Sequence, residues 1–221
     1  VVGPGDAFAR TVDEITEWDR FIAEHADALC HVRLAADIAS AHATQRVGVI
    51  YGFQSVDMFG DDPSRVRDFA ERGVRLMQLS YNGRSRSADG CMVTDDQGLS
   101  PWGYDVLAQM QASCVLVDLS HASHQTCVDV LACATASVAI SHTGCRALCD
   151  TPRNVSDSVL RSLAAGGGVL GLYGMPFLRK QGQPVAADLL RHLAHAIQVC
   201  GEDHVGIGTD STLTGVDDLD H

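Results

Sequence analysis

Residues 114–142 read CVLVDLSHASHQTCVDVLACATASVAISH. An apolar, β-branched run (114–120) is followed by a helical pattern that Ser123 can cap, and then by a second apolar run (137–141). Neither run alternates apolar with polar residues, so each is expected to be covered on both faces, as parallel strands joined by a crossover helix are. Both runs end in Ser-His, at His121 and His142.

The same unit recurs on either side. VGVIYGF (47–53), VRLMQLS (74–80), GVLGLYG (168–174) and HVGIGT (204–209) are further strand-like runs, which makes six with the two above. Asp62-Pro63 opens a helix that Gly73 closes, Ser100-Pro101 opens another, Ser156 or Asp157 starts one that stops at Gly166, and Asp188 to Cys200 forms the last before Gly201. Upstream, Phe8, Val12, Ile15, Trp18 and Ile22 stand three or four apart and predict a helix with one apolar face, and a second helix is predicted over 34–43. Strands alternating with helices predict a parallel α/β architecture. The polar, Gly-containing stretch 81–100 is the longest irregular one and has the character of an active-site loop.

The 221 residues hold 46% hydrophobic residues, enough for a large core, and one domain over residues 1–221 is the default. A formal charge of −12, from 16 Lys+Arg against 28 Asp+Glu, disfavours nucleic acid and anionic membrane surfaces as partners. No run of about 18 apolar residues is present to span a bilayer. Eight cysteines without a C-x-x-C pair, several inside apolar runs, predict buried free thiols in a reducing compartment, hence a cytoplasmic location, with an upstream signal or anchor left open.

Parallel α/β folds bind ligands at the carboxyl ends of their strands. The residues there are Gln54, Tyr81 and Asn82, Asp118, Ser120 and His121, Ser141 and His142, Tyr173, and Asp210. Two imidazoles at matching ends of successive strands can share a metal ion, whereas either alone is more simply a hydrogen-bonded strand-end residue. Arg153 can offer a guanidinium fork to a carboxylate at the site rim or sit in a surface ion pair. Asp210 can hold a substrate amine or move a proton. His192 and His195, three apart in a helix, are expected on a solvated face; His124 and His25-Ala26-Asp27 belong to helix ends and are set aside as ligands.

These segments together resemble the membrane dipeptidase family, zinc dipeptidases on a TIM-barrel fold of the metallo-dependent hydrolase type. The resemblance runs through GFQS (52–55), GVRLMQLSYN (73–82), ADGC and GLS (88–100), DLSH (118–121), SHTGCRALCDTPRNVSD (141–157), GGVLGLYG (167–174) and DHVGIGTD (203–210). It implies that His121 and His142 bind the second of two zinc ions, that Arg153 holds the dipeptide's carboxylate, and that Asp210 lies on the substrate side of the cluster. Tyr81 and Asn82 are the neighbouring substrate-side candidates, with Tyr81 and Asp210 the candidates for catalysis. Two positions depart from the family pattern. Gln54 replaces a metal-bridging glutamate, and a neutral amide cannot supply the anionic bridge between two cations. Tyr81 replaces a histidine that polarises the substrate.

The resemblance places the first strand of the (β/α)8 barrel, with its H-x-D pair, before residue 1 and the eighth strand after residue 221, so the chain is expected to be a barrel with one contiguous gap, open at 47–53 and 204–209. The expected activity is hydrolysis of dipeptides by a metal-activated water, with one or two Zn2+ ions in the complete protein and little activity in the 221 residues alone. A homodimer is compatible with this reading. The alternatives are a weakly active or inactive homologue that binds a peptide-like ligand, and a related amide or lactam hydrolase.

Overall fold

The computed structural model describes residues 4–211. Its first element, α1 (Pro4–Glu24), turns Ile15 and Ile22 into the core while Phe8 and Val12 pack against its margin. Trp18 does not join them: it is 46% exposed and meets Phe21 edge-on, with ring centroids 5.6 Å apart. Then come β1 (Leu29–His31), α2 (Ala35–Ala43), β2 (Val47–Val49) and β3 (Tyr51–Phe53). The run 47–53 is therefore two strands in two sheets. β2 pairs in parallel with β1, the chain changes partner at the exposed Ile50, and β3 joins the main sheet. β1 has no apolar run to announce it, since Leu-Cys-His is only three residues long and half-buried.

The main sheet continues through α3 (Arg65–Glu71), β4 (Val74–Gln78), α4 (Pro101–Ala112), β5 (Leu116–Asp118), α5 (His124–Cys133), β6 (Ala139–Thr143), α6 (Asp157–Ala165), β7 (Val169–Leu172), α7 (Ala186–Cys200) and β8 (Val205–Ile207). Its six strands, β3 to β8, are all parallel and lie side by side in chain order. A doubly wound sheet would reverse its order at a switch point; an unbroken order is the arrangement of a barrel wall. The wall is not closed among the described residues, where its edges are β3 and β8.

The expected punctuation is in place. Ser100, Ser123 and Ser156 accept hydrogen bonds on their side chains from the backbone N–H of Gly103, Thr126 and Val159, which satisfies donors at the starts of α4, α5 and α6. Gly201 ends α7 at φ 89°, a conformation that a side chain resists. The core lies between sheet and helices: Val74 and Met77, Val117, Ile140, Leu170 and Leu172 from the strands meet Val106, Met110, Val130, Leu160 and Leu163 from the helices. Burial of this apolar layer, at roughly 25 cal/mol per Å², holds the strand ends at fixed spacing.

Candidate active site

The carboxyl ends of β4, β5, β6 and β8 bring Tyr81, Asn82, His121, His142 and Asp210 together. His121 lies three residues beyond β5 with φ 65°, in the left-handed region, which a non-glycine residue occupies at a cost of order 1 kcal/mol or more. Asp210, φ 58°, shares that conformation. Two features hold His121 there. Its carbonyl accepts a hydrogen bond from Cys91 N (2.7 Å), and its Nδ1 donates to Asn82 Oδ1 (2.7 Å). The 81–100 loop is thus folded against the site, and Arg84 braces it by a two-pronged ion pair to Asp89 (2.6 and 3.0 Å). Tyr81 stacks on the His121 ring with centroids 4.1 Å apart.

His142 lies within β6, its ring 5.0 Å from that of His121 and nearly perpendicular to it, at 70°. Its Nδ1 lies 2.8 Å from Ser141 Oγ, and its Nε2 is 3.9 Å from Asp210 Oδ1. The Nε2 atoms of both histidines are buried and have no hydrogen-bond partner. Burial, with help from Arg153 and His142, lowers the His121 pKa to about 2. Burial likewise lowers His142, against the opposing pull of Asp210 and with the support of Arg153. Both rings are therefore neutral at physiological pH, the form in which imidazole binds a metal.

Arg153 is not at the surface. It is 6% exposed, its guanidinium carbon lies 5.6 Å from the centroid of the buried Tyr173 ring, and its Nη2 is buried without a partner. No carboxylate pairs with it among the described residues. Tyr173 is fixed in turn by donating its hydroxyl to Asn154 Oδ1 (2.7 Å), and burial raises its pKa. An unpaired buried guanidinium beside two unpaired imidazole nitrogens leaves the mouth able to take a metal cation at one end and an anionic group at the other.

Gln54 stands apart. It is exposed just beyond β3, at the sheet edge, and hydrogen-bonds to neither histidine. Among the described residues no three His, Cys, Asp or Glu side chains gather as a metal centre; two unpartnered imidazole nitrogens face the mouth, and the Asp210 carboxylate lies 3.9 Å from one of them. The expected solvated face at His192 and His195 is not found. His192 is buried, taking a hydrogen bond from Cys145 N on Nδ1 (2.9 Å) and giving one from Nε2 to Leu178 O (3.0 Å), and His195 Nε2 meets Asp157 Oδ1 at 2.8 Å. The polar side of α7 is covered by the segments after β6 and β7, which periodicity cannot foresee.

Beyond the residues singled out from sequence, the structure adds Asp118 as a buried hub, the pair Tyr173–Asn154 behind Arg153, and Cys91 against the His121 carbonyl. The repeated Ser-His ending is the signal that could have identified the hub, because each serine lies beside a histidine and both reach Asp118.

Residues 4–220 match the family model described as Membrane dipeptidase (Peptidase family M19). An uncharacterized dipeptidase of Schizosaccharomyces pombe is 31% identical over 208 residues, covering 90% of this chain and 50% of its own length. Dipeptidase verJ of Clonostachys rogersoniana is 29% identical over 224 residues, covering 97% of this chain and 57% of its own. The chain thus spans about half the length of these two curated relatives. Among solved structures, an amidohydrolase from Pseudomonas aeruginosa superposes with a TM-score of 0.89 at 33% identity, over 96% of this chain and 65% of that one. A metallo peptidase from Rhodobacter sphaeroides, liganded with a phosphinate mimic of the dipeptide L-Ala-D-Ala, gives 0.78 at 28% identity, over 85% and 56%.

Proposed function

The chain belongs to the membrane dipeptidase family, and from that premise we propose that the protein hydrolyses the peptide bond of dipeptides with the help of a bound divalent cation, zinc in our reading. The observation that carries the proposal is the pair of buried, neutral, unpartnered Nε2 atoms of His121 and His142. Both are fit to be metal ligands. Burying a polar nitrogen with no partner costs on the order of 1–3 kcal/mol, and a cation removes that cost.

When bound, the cation supplies Lewis acidity toward the scissile carbonyl and lowers the pKa of its water. The chain's own residues do the rest. Arg153 grips the substrate carboxylate through its free Nη2, a contact that the neutral Tyr173 behind it leaves uncontested. Asp210 Oδ1, beside His142, accepts a proton and passes it toward the departing amine. Tyr81, stacked on His121 at the mouth, would offer its phenol as a donor to the developing oxyanion. The two-metal form would need a carboxylate that Gln54 does not provide, and this favours a one-metal site or a homologue with slow turnover as the second reading. The eight free cysteines support a reducing, cytoplasmic location.

The test uses the full-length protein and a dipeptide panel. We expect turnover that a chelator abolishes and Zn2+ restores. The double variant His121→Ala, His142→Ala should lose both turnover and stoichiometric metal by elemental analysis. Full metal retention in that variant, or turnover indifferent to chelation, would refute the assignment.

A further inference from the structure

β5 and β6 share a single register pair, Asp118 with Ala139, and the last ladder bond between them runs from Leu119 N to Ala139 O (2.8 Å). Past that point the strands part, and their backbone N–H groups need acceptors. The side chain of Asp118 supplies them. Its Oδ1 accepts from Ser120 N (3.0 Å), Ser120 Oγ (2.8 Å) and Ser141 N (2.8 Å), and its Oδ2 accepts from Gln78 Nε2 (2.9 Å) and Ser141 Oγ (2.5 Å). One carboxylate, 1% exposed, therefore ties β4, β5 and β6 together at the level where both histidines leave the sheet.

The direction of these bonds fixes a proton further out. All five groups facing Asp118 are donors, so Ser141 spends its only hydroxyl proton on the carboxylate and can only accept from His142. With the Ser141 proton on Asp118, Nδ1 of His142 is the ring nitrogen that donates to Ser141 Oγ, and Nε2, 3.9 Å from Asp210 Oδ1, is left as a lone pair. Ser120 gives its proton to Asp118 and accepts from His142 N (3.0 Å), which pins the same residue by its backbone.

We propose that Asp118 is a positioning residue: acting through Ser141, it selects the tautomer and aim of His142 and thereby raises the affinity of the histidine pair for a divalent cation. The affinity part rests on the metal reading above, and the tautomer part does not. Orienting partners behind a metal-binding histidine typically change affinity by 10- to 100-fold.

The experiment is histidine-selective 15N NMR on the metal-free full-length protein, paired with a Zn2+ titration against a competing chelator. Wild type should show His142 with a protonated Nδ1. Ser141→Ala removes the acceptor, and Asp118→Asn turns a donor toward donors; both should shift His142 to a mixture of tautomers or to the Nε2–H form. His121, held by Asn82, should keep its tautomer. Zn2+ affinity should fall by about 10-fold or more. Asp118→Asn also removes a strand tie and could fail to fold, which leaves Ser141→Ala as the deciding variant. An unchanged His142 tautomer in Ser141→Ala overturns the proposal, as does a switched tautomer with Zn2+ affinity within twofold of wild type. A switched tautomer in a protein whose wild type binds no Zn2+ overturns the metal reading and supports the positioning role.

Discussion

His192 illustrates how much a single ring can be constrained. With Nδ1 accepting from Cys145 N and Nε2 donating to Leu178 O, both nitrogens are used, and an added proton on Nδ1 would face an N–H. Burial lowers its pKa, as it does for His121 and His142. Each is neutral in the folded chain and takes up a proton near pH 6.5 when unfolded. The stability they contribute is therefore complete above about pH 6.5 and is lost as pH falls below it, by at most about 1.4 kcal/mol per pH unit for each ring. Urea unfolding of the metal-free protein between pH 8 and pH 5 should show this decline, and His192→Gln should be less stable at pH 8 but have a slope shallower by up to one proton. An identical slope would remove His192 from the linkage. At this scale the sequence was readable where a residue follows an apolar run, as His121 and His142 do. It was not readable for His192, whose place in an amphipathic helix is the same whether water or a neighbouring loop covers it.

Among elements, β6 is crowded by glycines of the next two strand units. An added Cβ at Gly171 on β7, or at Gly208 just past β8, would overlap the carbonyl oxygen of Ser141, which is backbone and cannot rotate aside. The β6–β7 register already shifts between Ile140 and Thr143, so the strands meet closely just where His142 emerges. Gly171→Ala should cost about 3 kcal/mol, in the upper range for overpacking, and should weaken Zn2+ binding because β6 must move. A variant with the wild-type melting temperature would show that β6 yields freely. The helices were legible element by element, since serine caps and terminal glycines act locally. The short strands were not: β1 carries no pattern, and the 47–53 run hides a change of partner at Ile50 that only the position of β1 imposes.

For the whole molecule, the parallel α/β character followed from the alternation of runs and helices and the barrel order from the family resemblance, while closure depends on contacts far apart in sequence. Among the described residues β3 and β8 each have one neighbour, and apolar side chains lie exposed at both, Ile50 at one edge and Ile207 at the other, 57% exposed. Beside β3 a cavity of about 340 Å³ opens between α1 and the strand, lined by Ile15, Trp18, Ile50 and Phe53. Unpaired strand edges beside apolar surface recruit other chains. A polypeptide of these 221 residues expressed alone should self-associate in light scattering, and Ile50→Lys with Ile207→Lys should reduce the effect; a stable monomer would show that the edges are protected. The unbroken strand order has a further result for how such a protein can change over generations. Successive strand-and-loop units deliver the pieces of the mouth: Tyr81 and Asn82 from one, His121 from the next, then His142 with Arg153, then Asp210. Replacing a loop residue such as Tyr81, which makes no bond to Asp118, leaves that anchor untouched. Substrate preference can therefore drift at a position such as 81 by single substitutions, without passing through an ancestor that fails to fold.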